Sequence, residues 1–471
     1  MTTILVVAFM GIFMLILGTI TSYAFQQAKY GRALYGREQA LHIAEAGLEY
    51  YRWYLSHFPG DLTNGTGQPG PITYAVNDPE GGKIGSASLT VTGNTQCGVI
   101  QSVDIESRGV SDQNPAYTRT ILVRYMRPSI ARYSYLVNSN VWAGADRAIT
   151  GPYFSNGGIR MDGANNSDVL SAVSTWSCDS SFGCSPTQSK TGVFGAGSGS
   201  ALWSYPVASI DFGAISVDLA NLKNYAQNNG GRYFAAAAGS TNSRGYRVVF
   251  KSNGTFDLYR VTGTIAVPSY NEVAGWVQSE YSIISSQVFV NNYTIPDSCK
   301  VIFLEDRVWL EGVVTKKVTL AAATPSTTAT TPVVYLLNNI TYSNNDGSAG
   351  LTVVAEGSVL IPLNSPDVME LHGIFVAQNG RYGRNLYLTD NAYDPYDVPE
   401  QYNSYVLRSQ LTTVGTVVSN QRTGTSWSSA GVTMSGYVNR IDAYDQLQAT
   451  NPPPFTPAAS TDYKFVLWKE Q

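Results

Sequence analysis

From Met1 to Ala28 no charged side chain interrupts the chain, and Ile4 to Phe25 is almost continuously apolar. About 20 apolar residues at ~1.5 Å each cover the ~30 Å hydrocarbon layer of a bilayer. A cleaved signal peptide has a shorter apolar core and a small-residue cleavage site. Only Ser22-Tyr23-Ala24 resembles such a site, so the pattern predicts a retained transmembrane helix over residues 1–28. Beyond it the polarity changes but the periodicity stays helical. Gln26 to Leu55 contains no proline, and Leu34, Leu41, Ala44, Leu48 and Leu55 fall on one stripe. Arg37, Glu38, Glu45, Glu49 and Arg52 lie between them, and Pro59-Gly60 supplies the stop. One helix over about residues 3–57 is predicted, ~80 Å long. Its first half suits lipid, and its second half needs a folded surface to cover its stripe.

The period then falls to two. Ala87–Thr92, Val99–Val110 and Thr118–Met126 alternate as strands with one dry face. The helical stripe is the natural cover for that face, and Pro128 marks a boundary. The expected domains are therefore 1–28, 29–128 (helix extension and antiparallel sheet) and 129–471 (a mostly-β distal domain). From Ser129 short apolar runs alternate with Gly, Asn and Asp, as in Val301-Ile-Phe-Leu-Glu-Asp-Arg-Val-Trp-Leu-Glu-Gly312. Such runs suit a parallel β-solenoid, in which each coil buries its face only against the next. No strict period is found, so a β-sandwich of short strands is the alternative. An insertion is expected at about 205–290. There Ser216 is placed to cap a helix over Val217–Gln227, ended by Asn229-Gly230-Gly231. Ser252-Asn253-Gly254 follows as a type I′ hairpin turn between Tyr246–Lys251 and Thr255–Val261. Residues 321–332 and Asn451–Pro457 read as low-complexity connectors, and Tyr463–Trp468 as a last strand docking back on the body.

Composition narrows the function. With 44% hydrophobic and only 14% charged residues, the chain has core to spare and is not globally disordered. A net charge of −4 with no basic block argues against a nucleic-acid partner. Three histidines, His42, His57 and His372, offer no imidazole metal site. No cofactor or metal is expected. Of the four cysteines, Cys178 and Cys184 bracket a short polar loop. They form either a disulfide closing it in an oxidising compartment or two free thiols, and the pairing of Cys97 and Cys299 stays open.

No nucleophile constellation is present, and no catalytic residue is assigned. Gly195-Ala-Gly-Ser-Gly-Ser200 is not a nucleophile elbow and reads as a loop. Asp390, Asp394 and Asp397 are the densest acidic group, followed by Asp162 to Asp168; turn formation is the plain reading of both. His372 reads as a packed or surface histidine. The 31 tyrosines supply either an aromatic contact surface for glycan or protein, or cross-strand packing.

The helix carries one further signal. Arg37-Glu38-Gln39-Ala40, followed by Ala44-Glu45-Ala46-Gly47-Leu48-Glu49, resembles the N-terminal segment of PilX-type minor pilins of the type IV pilus family. The resemblance covers roughly residues 3–57. It implies an α+β pilin-like module, a long helix on a small antiparallel sheet, stored in the membrane and assembled with other pilin-like subunits through that helix. It also implies a basic leader ending in Gly ahead of the helix. The chain opens Met1-Thr2-Thr3 and carries Leu5 where the family commonly has Glu. Lys29, Arg32 and Arg37 flank the apolar run on its C-terminal side. By the positive-inside rule they draw that side to the cytoplasm, and a basic leader would reverse the orientation.

The expected function is that of a non-enzymatic, membrane-anchored minor pilin or pseudopilin. Its β domain would lie outside the cell or on a surface filament, for assembly, adhesion or contact with a glycan or protein. Two alternatives are a surface polysaccharide-degrading enzyme built on a solenoid, and a membrane-tethered adhesin outside the pilus machinery.

Overall fold

The computed structural model describes residues 1–215, 218–325, 331–389, 395–429 and 431–471. The chain divides into two units. The first comprises Met1–Asn94, Ile100–Met126 and Tyr463–Gln471, and the second Thr95–Val99 and Arg127–Asp462.

The first unit is built on one unbroken helix, α1 (Thr2–His57), about 84 Å long at ~1.5 Å per residue. No proline or glycine pair interrupts it, and it ends where Pro59 removes a donor and Gly60 takes φ +91°. Its second half lies on a five-stranded sheet. The sheet runs in the order β1 (Ile72–Asn77), β2 (Lys83–Gln96), β3 (Val99–Ser111), β4 (Thr118–Met126) and then the final strand, Lys464–Glu470. Strands β1 and β2, β3 and β4, and β4 and the final strand pair antiparallel. Alternation gives the sheet one apolar face, where Leu89, Ile105, Ile121 and Val123 are fully buried with Ala44, Leu48 and Tyr51 of α1.

Two expectations change here. Leu34 is 44% exposed, so the docked stripe starts two residues later, at Gly36, and runs through Ala40, Ile43, Ala44, Gly47, Leu48, Tyr51, Tyr54 and Leu55. The reason is steric: small residues, not leucines, occupy the closest part of the contact. The C-terminal residues, expected within the distal domain, pair with β4 and belong to the first unit.

The second unit is mostly β, and its strands join in parallel ladders. In the longest, Arg232–Phe234 is followed by Val301–Leu304, Lys317–Ala322, Gly350–Ala355, Val368–Ala377 and Leu407–Ser419. Tyr135–Val137, Tyr153–Ser155, Val169–Ser171 and Trp203–Ser204 then continue it. A second ladder joins Gly245–Phe250, Val308–Val314, Val334–Tyr342, Val359–Leu360 and Tyr382–Gly383. Inward side chains such as Ile302, Leu304, Leu320, Val353 and Phe375 stack from rung to rung in one continuous core. The central rungs Val301–Leu304, Lys317–Ala322, Gly350–Ala355 and Val368–Ala377 are four to ten residues long and largely buried on both faces, so they read as apolar runs rather than clean alternation.

Order along the ladder differs from order along the chain. The chain joins the ladder in its middle, at Tyr135, and runs to one end at Ser204. It resumes at the opposite end with Arg232 and returns to the middle, where Val417 pairs with Tyr135. The connecting helix, Leu219–Asn228, lies on the ladder's outer face. Leu219, Leu222 and Ala226 pack there with Val301, Phe303, Ala321 and Val354.

Ser216 and Val217 lie outside the described residues; the helix is capped by Asp218, whose side chain accepts from Asn221 N–H at 2.9 Å. The stretch 205–290, expected as an insertion, supplies Arg232–Phe234 and Gly245–Phe250, which are rungs of the two ladders. The hairpin at 245–261 forms, but only Gly254 takes a positive φ, +85°, so the turn is not type I′. Asn253 instead uses its side-chain oxygen to accept from Thr255 N–H and Oγ1–H. Ala321 and Ala322, expected in a low-complexity loop, end a strand that is fully buried from Val318 onward; residues 326–330 lie outside the described part.

Candidate functional site

The first site is α1 itself. Met1 to Arg32 is exposed throughout, and α1 is the single helix among the described residues long and apolar enough to cross a bilayer. From Gly36 onward the same helix is docked, and the motif residues divide by face. Ala40, Ala44, Gly47 and Leu48 are buried against the sheet, Ala46 is half-buried, and Arg37 and Glu38 are exposed. Glu45 bonds His42 at 3.1 Å.

Close approach explains the small residues. A Cβ on Gly109 of β3 would lie 2.0 Å from the Ala40 carbonyl oxygen and 2.6 Å from the Ala44 nitrogen. A Cβ on Gly47 would lie 2.5 Å from that of Ala87. Ser107 Oγ donates to the Ala44 carbonyl at 2.8 Å, inside the contact. The helix backbone therefore rests almost directly on the sheet backbone. Sequence reasoning missed the sheet's half of this contact, Gly85, Ala87, Ser107 and Gly109. Its signal was small residues at alternate positions of two strands.

A loop locks the end of α1. Asp61 accepts from Tyr54 Oη–H at 2.5 Å, from Thr63 Oγ1–H at 2.7 Å and N–H at 2.8 Å, and from Gly65 N–H at 2.9 Å. These bonds, Thr63 foremost, hold its carboxyl well below the usual carboxylate range. The same bond to Asp61 pushes the Tyr54 phenol up to about 12.

In the second unit the acidic and histidine candidates are not brought together. Asp162 accepts from Trp142 Nε1–H at 2.8 Å, Arg160 Nε–H at 2.7 Å and Ala196 N–H at 2.9 Å, while Asp168 is exposed. His372 Nε2 lies 2.6 Å from Glu370 Oε1, and its ring stands edge-on to Tyr342. Asp390 and Asp394 lie outside the described residues; Asp397 is half-buried opposite Leu388, whose carbonyl accepts from Val398 N–H at 3.0 Å. Gly195 takes φ +146° within the loop. Among the described residues no three His, Cys, Asp or Glu side chains converge as metal ligands.

A buried charge cluster of this unit is structural. Arg147 donates to Asp442 at 2.5 and 2.9 Å, and Tyr135 Oη–H donates to the same carboxylate at 2.7 Å. All three residues are at least nine-tenths buried. Burial pushes the Tyr135 phenol up, with Asp442 adding to the shift. Many of the tyrosines serve packing: Tyr135 stacks on Tyr153, and Tyr382, Tyr387 and Tyr437 are buried. Cys178 is joined to Cys184, and Cys97 to Cys299.

No protein-family model matches the chain, and no curated protein matches it. Among solved structures it is similar to the crystal structure of the competence-associated pilin ComZ from Thermus thermophilus. The TM-score is 0.28 and the identity 11%, over 93% of this chain and 97% of that one. A likeness at that level carries neither a fold nor a function across.

Proposed function

We propose that this protein is a membrane-anchored, pilin-like subunit of the minor type, which assembles with other subunits through α1 and presents a large β domain outside the membrane. The observation that carries this reading is the division along one unbroken helix. Its first 32 residues are exposed and uncharged up to Lys29, while residues from Gly36 to Leu55 are docked on a small sheet. In water the exposed stretch is unstable; in lipid or among neighbouring apolar helices it is satisfied. Gly11 and Gly18, with nothing near them, leave room for close helix contacts.

Three observations support the rest. Two disulfides suit an oxidising, extracytoplasmic compartment. Parallel ladders stacked over a continuous core suit a β-solenoid, since a sandwich is built from antiparallel sheets. A second unit of this size would obstruct packing along a filament shaft, which favours a tip or accessory position. In this reading the unit is a display surface for a glycan or protein and not an enzyme, with Asp162 and Asp442 spent on neighbouring donors.

Fractionation and immunogold labelling test the proposal. The full-length protein is expected in membranes, with label at filament ends or on the cell envelope. Recovery of the intact chain from cytosol overturns the anchoring, and uniform label along shafts overturns the tip position.

A further inference from the structure

The strand Arg232–Phe234 ends the longest ladder. Among the described residues its one strand partner is Val301–Leu304, and Glu305 N–H donates to the Phe234 carbonyl at 2.9 Å. In a parallel pair alternate residues address opposite edges, so the N–H and C=O of Tyr233 address the outer edge. Among the described residues no hydrogen bond reaches either group.

Beside that edge lies a cleft of about 430 Å³, walled by Ala226 and Gln227 of the connecting helix and by Arg232, Phe234 and Tyr293. That volume lies within the ~300–1,000 Å³ of ordinary ligand sites. The walls are already held. The Arg232 guanidinium sits 5.6 Å over the Tyr293 ring and donates to the Thr294 carbonyl at 3.1 Å. Tyr233 Oη–H donates to Glu305 at 2.5 Å. A ligand therefore meets a preformed aromatic wall and an unpaired backbone donor and acceptor.

We propose that this end of the ladder takes an extended peptide segment of a partner protein as an added strand. The backbone selects the class, because a strand returns an N–H and a C=O at the spacing the edge presents. The aromatic wall asks for an apolar side chain beside it. A second copy of this chain fits less well: its free ladder end, Trp203–Ser204, offers two strand residues before Tyr205 and Pro206, and proline has no donor. The inference does not depend on the anchoring proposal.

The test uses the full-length protein in detergent micelles and, as probe, an acetylated and amidated peptide with the sequence of Lys317–Ala322, a strand that the same ladder already accepts beside Val301–Leu304. Peptide is expected to slow amide exchange in the segment around Tyr233 at least tenfold. Methylating alternate backbone nitrogens of the peptide should weaken binding at least tenfold, and Tyr293→Ala should weaken it severalfold. Equal binding of the methylated peptide overturns the proposal, since the contact would then not be strand addition. So does protection that rises with protein concentration alone, which makes the occupant a second copy. So does an absence of protection by this peptide and by scrambled alternating hexapeptides at millimolar concentration.

Discussion

The two units bury strands by opposite routes. In the first, sheet neighbours are chain neighbours from β1 to β4, and a single helix covers the apolar face. In the second, the ladder is closed by strands far apart in the chain: Val417 lies beside Tyr135, 282 residues away. Loop-closure entropy must be spent before such contacts form, and it rises with loop length. Local order therefore serves the first unit from β1 to β4, with the final strand as its long-range addition, whereas the whole ladder of the second depends on long-range ties. The cysteines follow that division. Both disulfides are in the second unit, and one of them spans 202 residues.

Removing the long tie has the largest expected effect. On the chain-entropy account, closing a loop of the length between Cys97 and Cys299 is worth about 5 kcal/mol, and the six-residue span of Cys178–Cys184 about 2 kcal/mol. The paired change Cys97→Ser with Cys299→Ser should therefore cost more than twice as much as Cys178→Ser with Cys184→Ser. Guanidinium unfolding followed by tryptophan fluorescence measures both, because Trp142, Trp176, Trp203, Trp276, Trp309 and Trp427 lie in the second unit. Equal costs would mean that the ladder does not need the long cross-link, and the contrast between the units would fail.

The helix–sheet contact of the first unit comes next. Gly109→Ala drives a methyl into the Ala40 carbonyl and the Ala44 amide, which are backbone and cannot swing aside. Overpacking of this kind costs about 1–3 kcal/mol. Gly11→Ala, with nothing within 4 Å, is the matched control and, as an unobstructed Gly→Ala change inside a helix, should leave stability unchanged or raise it by up to about 1 kcal/mol. Thermal unfolding of the two variants in micelles reads the difference. A tolerated Gly109→Ala would show that α1 rests on the sheet less closely than its small residues demand.

That comparison also explains what could be read from the sequence. The helix, its stop at Pro59-Gly60, and strands β2 to β4 were legible because hydrophobic period maps onto local structure. Strand β1 was passed over although Ile72, Tyr74 and Val76 alternate. Leu34 was misread because leucine looks like core, while the contact is carried by Ala40, Ala44, Gly47 and Gly109. In the second unit the short buried strands were visible, but no period emerged. The coil at Leu407–Ser419 stacks on the coil at Tyr135–Val137, so the repeat does not run along the chain in stacking order. The motif residues in α1 were identified by resemblance, and packing then accounts for half of them. Arg37 and Glu38 stay in solvent, and packing does not account for them. The cleft at Arg232 to Phe234 had no sequence signal, because Tyr293, Gln227 and Tyr233 meet only through the ladder.

The smallest expected effect tests how the first unit ends its helix. The Tyr54 phenol, ordinarily near 10.0, is raised to about 12 by its bond to Asp61, and Asp61 is lowered by Thr63, Tyr54 and Gly65. The signs run in opposite directions. A group raised in the folded state stabilises fully below its ordinary value, so the Tyr54 contribution is present below pH 10 and fades between about 10 and 12. A lowered carboxyl stabilises above its ordinary value, so the Asp61 contribution is lost on acidification below the usual carboxylate range. Asp61 is partly exposed, and solvent there screens the pair and keeps the effect modest. Tyr54→Phe removes the donor while keeping the ring against Phe58, 5.0 Å away. The difference in phenolate absorbance between the parent protein and Tyr54→Phe should then titrate near pH 12. A difference that titrates near pH 10 would mean that the loop does not hold Tyr54 in solution, and that α1 ends without the Asp61 lock.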